Sequence, residues 1–364
     1  MEEVDSAQRV VRLSDGSMLP YDMLVIGTGA DALRPGITGE DREGVFTLKN
    51  LTDALAMKAY ITAERCRKAL IVGAGFIAME MAEALRNIGL DTKIVHRGAL
   101  PANRWDPEFS KLIAEELERN EVPFLKNVKV LAVEKGKESR LRLISDQGVM
   151  EADIILLALG VKPNVRLASE AGIVIGATGA IKVDASQKTS REEIYAVGDC
   201  CEAFHRVSRR WVSMPLGDVA NKQGRVAGRN IGGTPAVFRG IVGSQAFKVF
   251  GLEVAATGLD EKAAAESGYQ PATALVWGNA IAASMPAAKK LGIKLVADRT
   301  TGKLLGAQAV GETGAVSRIN TLAAALWSDM GLNEVGYLDL AYAPPFGGSW
   351  DLIHIAAQVL TKQL

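Results

Sequence analysis

Two stretches of the chain share one pattern of apolar and polar positions. Arg9 to Asp22 reads RVVRLSDGSMLPYD and Arg140 to Asp153 reads RLRLISDQGVMEAD; an offset of 131 aligns both Arg, both Ser-Asp pairs and both final Asp. Alternating apolar residues around a Ser-Asp turn predict a β-hairpin in each. Each hairpin leads into a short apolar run that ends at glycine and is followed by proline, MLVIGTG before Pro35 and IILLALG before Pro163. Continuous runs of this length predict strands buried on both faces of a parallel sheet. From Lys68 the sequence KALIVGAGFIAMEMAEALRNIGLDTKIVHR predicts a buried strand over Ala69–Val72, a helix ending near Gly89, and a second strand over Thr92–Val95. Ile194–Val197 reads as a further short strand. Beyond Arg239, KVFGLEVAATG and KLVADRTTGKLLGAQAVG alternate about turns such as Thr301–Gly302, while Val316 to Trp327 is apolar at helical spacing.

The repeated hairpin and strand imply two nucleotide-binding domains of one design, with chance similarity of two hairpins as the alternative. The second copy is preceded by the unit containing Gly73; shifting back by 131 places the equivalent glycine before Met1. The expectation is therefore a chain that lacks its first dinucleotide-binding unit. The region after Arg239 reads as a separate α+β module.

Composition narrows the partners. The 364 residues carry 42 Lys+Arg against 42 Asp+Glu and are 48% hydrophobic, which excludes disorder, collagen and coiled coil. A formal charge of zero, with no Lys/Arg block along the chain, gives no field to gather nucleic acid or an anionic membrane. The 37 glycines exceed the base rate of roughly 7% and point to tight turns and close backbone approaches. Cys66, Cys200 and Cys201 form no metal spacing and no CxxC pair. With no signal-peptide or membrane-length apolar run, the expected location is the cytoplasm.

Candidate chemistry begins at Lys68. Gly73 and Gly75 supply the tight turn and the close approach to a pyrophosphate, Ala78 is the small residue that lets the helix pack, and the helix N-terminus offers free amides to phosphate. An acid normally ends the second strand and binds the ribose 2′-hydroxyl; here His96 and Arg97 stand there. A guanidinium suits a 2′-phosphate, so NADPH is expected over NADH, unless Arg97 only faces solvent. Gly27-Thr28-Gly29 follows a strand but leads into no helical pattern, so it is not a second fingerprint. Gly198-Asp199 closes the Ile194–Val197 strand, where ligands bind in open α/β sheets.

Taken together, Tyr21–Gly29, VGAGFIAMEMAE, Tyr195–Asp199, MPLGDVANKQGRVAG, KVFGLEVAATGL and YAPPF resemble the FAD- and NAD(P)-dependent pyridine nucleotide-disulfide oxidoreductases, specifically the branch of coenzyme A-disulfide reductase, NADH oxidase, NADH peroxidase and persulfide reductase. The resemblance covers nearly the whole chain. It implies an α/β fold with two Rossmann-like domains, the first truncated, and a C-terminal α+β dimerisation domain. The expected boundaries are 1–47 with 166–239 for the remainder of the FAD domain, 48–165 for the NAD(P) domain and 240–364 for the interface domain. It places Asp199, beside Gly198, on the flavin ribityl chain, Pro215, Leu216 and Gly217 beside the isoalloxazine, and Thr28, Gly29 and Ala30 along FAD. Phe76 would gate the nicotinamide face of the flavin and Glu80 would lie beside the nicotinamide; Gly160 is counted with the cofactor-binding positions.

Departures from that family limit the reading. Its opening GxGxxG, which grips the ADP of FAD, and its redox-active cysteine are both absent, so FAD is expected to bind weakly or not at all. The three cysteines read as structural, and His354 as a packing residue rather than an acid-base. Phe346 matches a segment that reaches the partner's flavin site, without the hydroxyl of the tyrosine some relatives carry. The expected activity is NAD(P)H-dependent reduction of a small disulfide, persulfide, peroxide or oxygen by a homodimer joined through its C-terminal domain. An NAD(P)H oxidase or diaphorase without a redox cysteine, or an inactive nicotinamide-nucleotide-binding protein, are the alternatives.

Overall fold

Five parallel strands lie in the order Val45–Thr47, Ile154–Leu157, Lys68–Val72, Asp91–Val95 and Phe124–Leu125, and the two-residue period of the central ones divides their side chains between two cores. Ala69, Ile71, Ile94, Ile154 and Leu156 pack against Ala78, Met79, Ala82 and Leu85 of the Phe76–Asn87 helix and against Phe109, Ile113 and Leu117 of the Pro107–Arg119 helix. Leu70, Val72, Val95, Ile155 and Leu157 face the other way, onto Leu141 and Leu143. Burial on both faces explains why these strands read as continuous apolar runs.

The computed structural model describes residues 1–364 and divides into two units, Met1–Asp31 with Val161–Gly243, and Ala32–Gly160 with Ser244–Leu364. In the first unit the predicted hairpin forms from Val10–Arg12 and Met18–Pro20, turning at Gly16 with φ +84°. Its counterpart in the second unit pairs Leu141–Ser145 with Gly148–Ala152. Each gains a third antiparallel strand that the alternation did not reveal, Glu3–Asp5 in one and Val130–Lys135 in the other.

The strands that follow the hairpins differ. All four residues of Ile154–Leu157 are buried, as expected. Leu24–Ile26 pairs in parallel only with Ile194–Ala196, and Met23 and Val25 stay 50% and 43% exposed. The expectation of a strand buried on both faces is thus corrected here: with one strand neighbour, only the Ile26 side packs into a core.

After Gly243 comes an antiparallel sheet in the order Gln245–Val249, Leu252–Gly258, Leu304–Gly311, Lys290–Asp298 and Pro271–Asn279, covered by the helices Ala315–Trp327 and Leu352–Thr361. Phe247, Val249, Leu252, Val254 and Val310 from this sheet join the same core as Met79, Trp105 and Phe109. Carboxylates lock the seam. Glu83 accepts from the Phe250 N–H at 2.6 Å and pairs with Lys248, Glu116 accepts from the Gly251 N–H at 2.9 Å, and Lys294 pairs with Asp106 and Glu108. No helix is long and apolar enough to cross a membrane.

Candidate functional site

The register of the parallel sheet collects the predicted dinucleotide residues at one edge. Val72 lies beside Val95 on one side and Leu157 on the other, so Gly73–Gly75, His96–Arg97 and Gly160 all follow at the carboxyl ends of adjacent strands. The two glycines serve different ends. Gly73 has φ +115°, its N–H donates to Val95 O at 2.9 Å, and a Cβ there would collide with the Ala158 carbonyl. A Cβ on Gly75 would meet nothing within 4 Å. The fold therefore requires Gly73, whereas Gly75 keeps open the space over the helix N-terminus.

That N-terminus has no side-chain cap and no acid in its first turn, so its amides and positive dipole end face outward. An uncapped helix start beneath an open glycine fits a diphosphate. Ala78 is fully buried against the sheet, which sets how close the helix approaches. Phe76, the first helical residue, is 37% exposed. Glu80 stands one turn on, and desolvation, then the Glu83 carboxylate, pushes its carboxyl above the usual range.

At the end of the next strand the two basic residues part company. The His96 ring packs over Gly98 and toward Phe124, with ring centroids 6.0 Å apart, and desolvation, then Arg97, pushes its pKa down, so it stays neutral. Arg97 is exposed and takes part in no ion pair. A free guanidinium beside a neutral imidazole can take a phosphate monoester.

In the first unit a second set of predicted residues gathers at the carboxyl edge of the Leu24–Ile26 and Ile194–Ala196 pair. Gly27–Thr28–Gly29 follows one strand and Gly198–Asp199, in a 3₁₀ turn, follows the other; Val197 N donates to Ile26 O at 3.0 Å. Thr28 Oγ1 donates to Asn164 O at 2.6 Å, and Asn164 N donates to Gly29 O at 2.9 Å, which fixes the chain entering Ala30. Gly198, at φ +80°, lets the Gly217–Ile231 helix approach, since its Cβ would stand 3.3 Å from that of Ala220. Pro215 and Leu216 lead into this helix, whose N-terminus also lacks a side-chain cap, and Gly217 has open space where a Cβ would be. An αL glycine beside a carboxylate, and an uncapped helix start beside an open glycine, fit the ribityl and ring portions of a flavin.

Two residues here were missed by sequence reasoning. Gln223, fully buried, accepts from the Gly198 N–H at 2.9 Å and donates to Glu202 O at 3.1 Å, tying the helix to the turn that carries Asp199. The Asn164 backbone ties down Thr28 and Gly29 through its carbonyl and its N–H. A polar side chain on an otherwise buried helical face was the one signal of Gln223.

The thiols are placed for packing. Burial, then Asp153, pushes Cys66 up to about 11, and burial raises Cys201 further. Cys200 donates to Val197 O at 3.3 Å. His354 is buried, accepts from the Asp351 N–H at 3.2 Å and donates through Nε2 to Leu338 O at 2.9 Å, leaving no free nitrogen for proton transfer. Phe346, in the second unit, is 77% exposed.

Comparison with known proteins bears on the family and the fold. Residues 1–224 match the pyridine nucleotide-disulphide oxidoreductase profile and residues 244–352 match the dimerisation domain of the same family. An NAD(P)H sulfur oxidoreductase (CoA-dependent) of Pyrococcus abyssi is 38% identical over 98% of this chain and 80% of its own length. An NAD-dependent persulfide reductase from A. fulgidus superposes with a TM-score of 0.94 at 36% identity, covering 99% of this chain and 68% of that one. An engineered water-forming NADPH oxidase, solved with NADPH bound and derived from the Lactobacillus brevis NADH oxidase, superposes with a TM-score of 0.92 at 25% identity, covering 99% and 81%. The chain belongs to the pyridine nucleotide-disulphide oxidoreductases, with a mixed α/β fold and a C-terminal dimerisation domain of that family.

Proposed function

We propose that the protein is an NADPH-preferring flavin-dependent reductase of a small sulfur acceptor, a disulfide or persulfide, working as a homodimer. The observation that carries the coenzyme preference is the unpaired Arg97 beside neutral His96 at the carboxyl edge of the dinucleotide strands. The engineered NADPH oxidase supports it: among its substitutions are a Gly→Ala and, 19 positions later, an Ala→Arg. Here Ala78 and Arg97 stand at that same spacing. Sulfur is favoured over oxygen by the names of the relatives at 38% and 36% identity.

When bound, FAD supplies the redox chemistry between the nicotinamide and the acceptor. The chain's own residues orient the partners. Gly73, Gly75 and the amides at the start of the Phe76–Asn87 helix hold the diphosphate, and Arg97 holds the 2′-phosphate. Phe76 covers the nicotinamide face, and Glu80, one helical turn on, can accept a hydrogen bond from the carboxamide N–H. Thr28, Gly29 and Ala30, with Gly198 and Asp199, hold the ribityl chain, while Pro215, Leu216 and Gly217 border the ring. Residues 1–364 hold FAD weakly, because the glycine turn at Gly27–Gly29 leads into the Ala30–Ala32 strand and not into a phosphate-binding helix. Cys66 and Cys201, whose thiols burial pushes up, and Cys200, which donates to the Val197 carbonyl, take no part in acceptor chemistry.

The test is turnover with FAD added in excess under anaerobic conditions. Consumption of NADPH should depend on a small persulfide or disulfide. Consumption that needs only oxygen would favour the oxidase reading, and none with any acceptor would favour the binding protein.

A further inference from the structure

We propose that a cleft in the first unit, between the C-terminal half of the Gly217–Ile231 helix and the Gly232–Arg239 loop, binds a phosphate-bearing small molecule of nucleotide size, separately from the dinucleotide edge. Residues 203–241 hold seven Arg or Lys and one Asp, a formal +6 in a chain whose total formal charge is zero. That one acid, Asp218, is paired with Lys222 at 2.9 Å. No run of the sequence displays this as a basic block. The helix pitch brings Arg225 and Arg229 onto one face, and the loop returns Arg239 to them.

The three arginines line an open groove of about 810 Å³ whose lining contains no carboxylate. Arg225 Nε donates to the neutral Asn221 side chain at 3.0 Å, and no ion pair engages Arg225, Arg229 or Arg239. A basic residue in the last helical turn complements the dipole, which accounts for Arg229. It does not account for Arg225 in mid-helix or Arg239 on the loop. Like charges four residues apart destabilise a helix, so the cluster is a standing cost to the free protein that an anion would relieve.

The walls are fixed before any ligand arrives. The Asn230 side chain accepts from Ala236 N at 2.9 Å and donates to Ala236 O at 2.8 Å, so the loop is held back over the helix end. Phe238 anchors its far side, buried with Ala203, Val219 and Ile241, and its N–H donates to Ala185 O at 2.7 Å. The floor is bare backbone, for a Cβ on Gly228 would meet nothing within 4 Å. Guanidinium groups from the helix and from the loop suit a diphosphate, and Val226 and Val237 offer apolar surface to an attached nucleoside. Concavity favours such a ligand over a flat acidic protein surface.

Calorimetric titration and thermal melting of the full chain at low salt, with inorganic pyrophosphate and with ADP as probes, test this. Both should bind, and ADP should bind more tightly if the valines receive the nucleoside. Arg229→Ala and Arg239→Ala should each weaken pyrophosphate about tenfold, and neither should lower the melting temperature of the anion-free protein. Arg97→Ala, which alters the other anion edge, should leave pyrophosphate binding at the cleft unchanged. The proposal falls if neither probe binds, if the cleft substitutions leave pyrophosphate affinity and stoichiometry unchanged, if binding is lost instead in Arg97→Ala, or if a poly-glutamate peptide binds at Arg229 and Arg239 while the phosphate probes do not.

Discussion

Gly73 and Gly75 look equivalent in the sequence, yet a methyl group would act on them in opposite ways. Gly73→Ala forces a side chain into φ +115° and onto the Ala158 carbonyl, and should destabilise the protein by more than about 3 kcal/mol. Gly75→Ala should leave the melting temperature within a degree or so while weakening both nicotinamide coenzymes, because it intrudes only on ligand space. Thermal melts and coenzyme titrations on the two variants separate these effects. Arg97→Ala should weaken NADPH roughly 10- to 150-fold, the range of one to two charge-assisted bonds, with NADH unaffected; equal affinity of the unsubstituted protein for both coenzymes would remove the assignment. His205 gives a pH signature. Burial lowers its pKa from 6.5 to about 4, so the folded protein holds it neutral while the unfolded chain takes up a proton. The stability it contributes is present above pH 6.5 and is lost as pH falls toward 4. Denaturant titrations across that window should show a slope that His205→Gln reduces.

At the scale of elements, what the sequence made legible was whatever a short window contains. Both hairpins, the strand-turn-helix from Lys68 and the Ala315–Trp327 helix follow from period alone. The third strand of each small sheet did not, because Glu3–Asp5 and Val130–Lys135 gain their identity from a partner and not from alternation. The exposed face of Leu24–Ile26 was illegible for the same reason: an apolar run cannot report how many neighbours it has. Of the site, the glycines, His96 and Arg97 were visible as a motif, whereas Gln223 and Asn164 work through long-range bonds that no local pattern encodes. Gln223→Leu would orphan the Gly198 N–H and the Glu202 carbonyl, at about 1–3 kcal/mol for each group. It should also weaken FAD at least tenfold by freeing the Gly198–Asp199 turn. Retention of FAD affinity in a stably folded Gln223→Leu protein would show that the helix does not position that turn.

Across the whole molecule, the dinucleotide sheet and the C-terminal sheet share one core, with Trp105 against Phe247 at 5.1 Å between ring centroids and Glu83 and Glu116 bonded to the Phe250 and Gly251 amides. Residues 32–160 expressed alone should therefore lack a cooperative melt that residues 32–160 and 244–364 show in the full chain. The exposed Phe346, Tyr342 and Trp350 on the C-terminal part suit burial by a second copy, and light scattering should report a dimer at micromolar concentration. The central claim is that these residues bring a nicotinamide coenzyme to a flavin and select it by its 2′-phosphate. Anaerobic reduction of the FAD-loaded protein reads that claim in one step, through loss of the flavin's visible absorbance after one equivalent of coenzyme. NADPH should bleach it faster than NADH at limiting concentration, with the advantage gone in Arg97→Ala. Bound FAD that neither coenzyme reduces, or that NADH reduces as readily as NADPH, would overturn it.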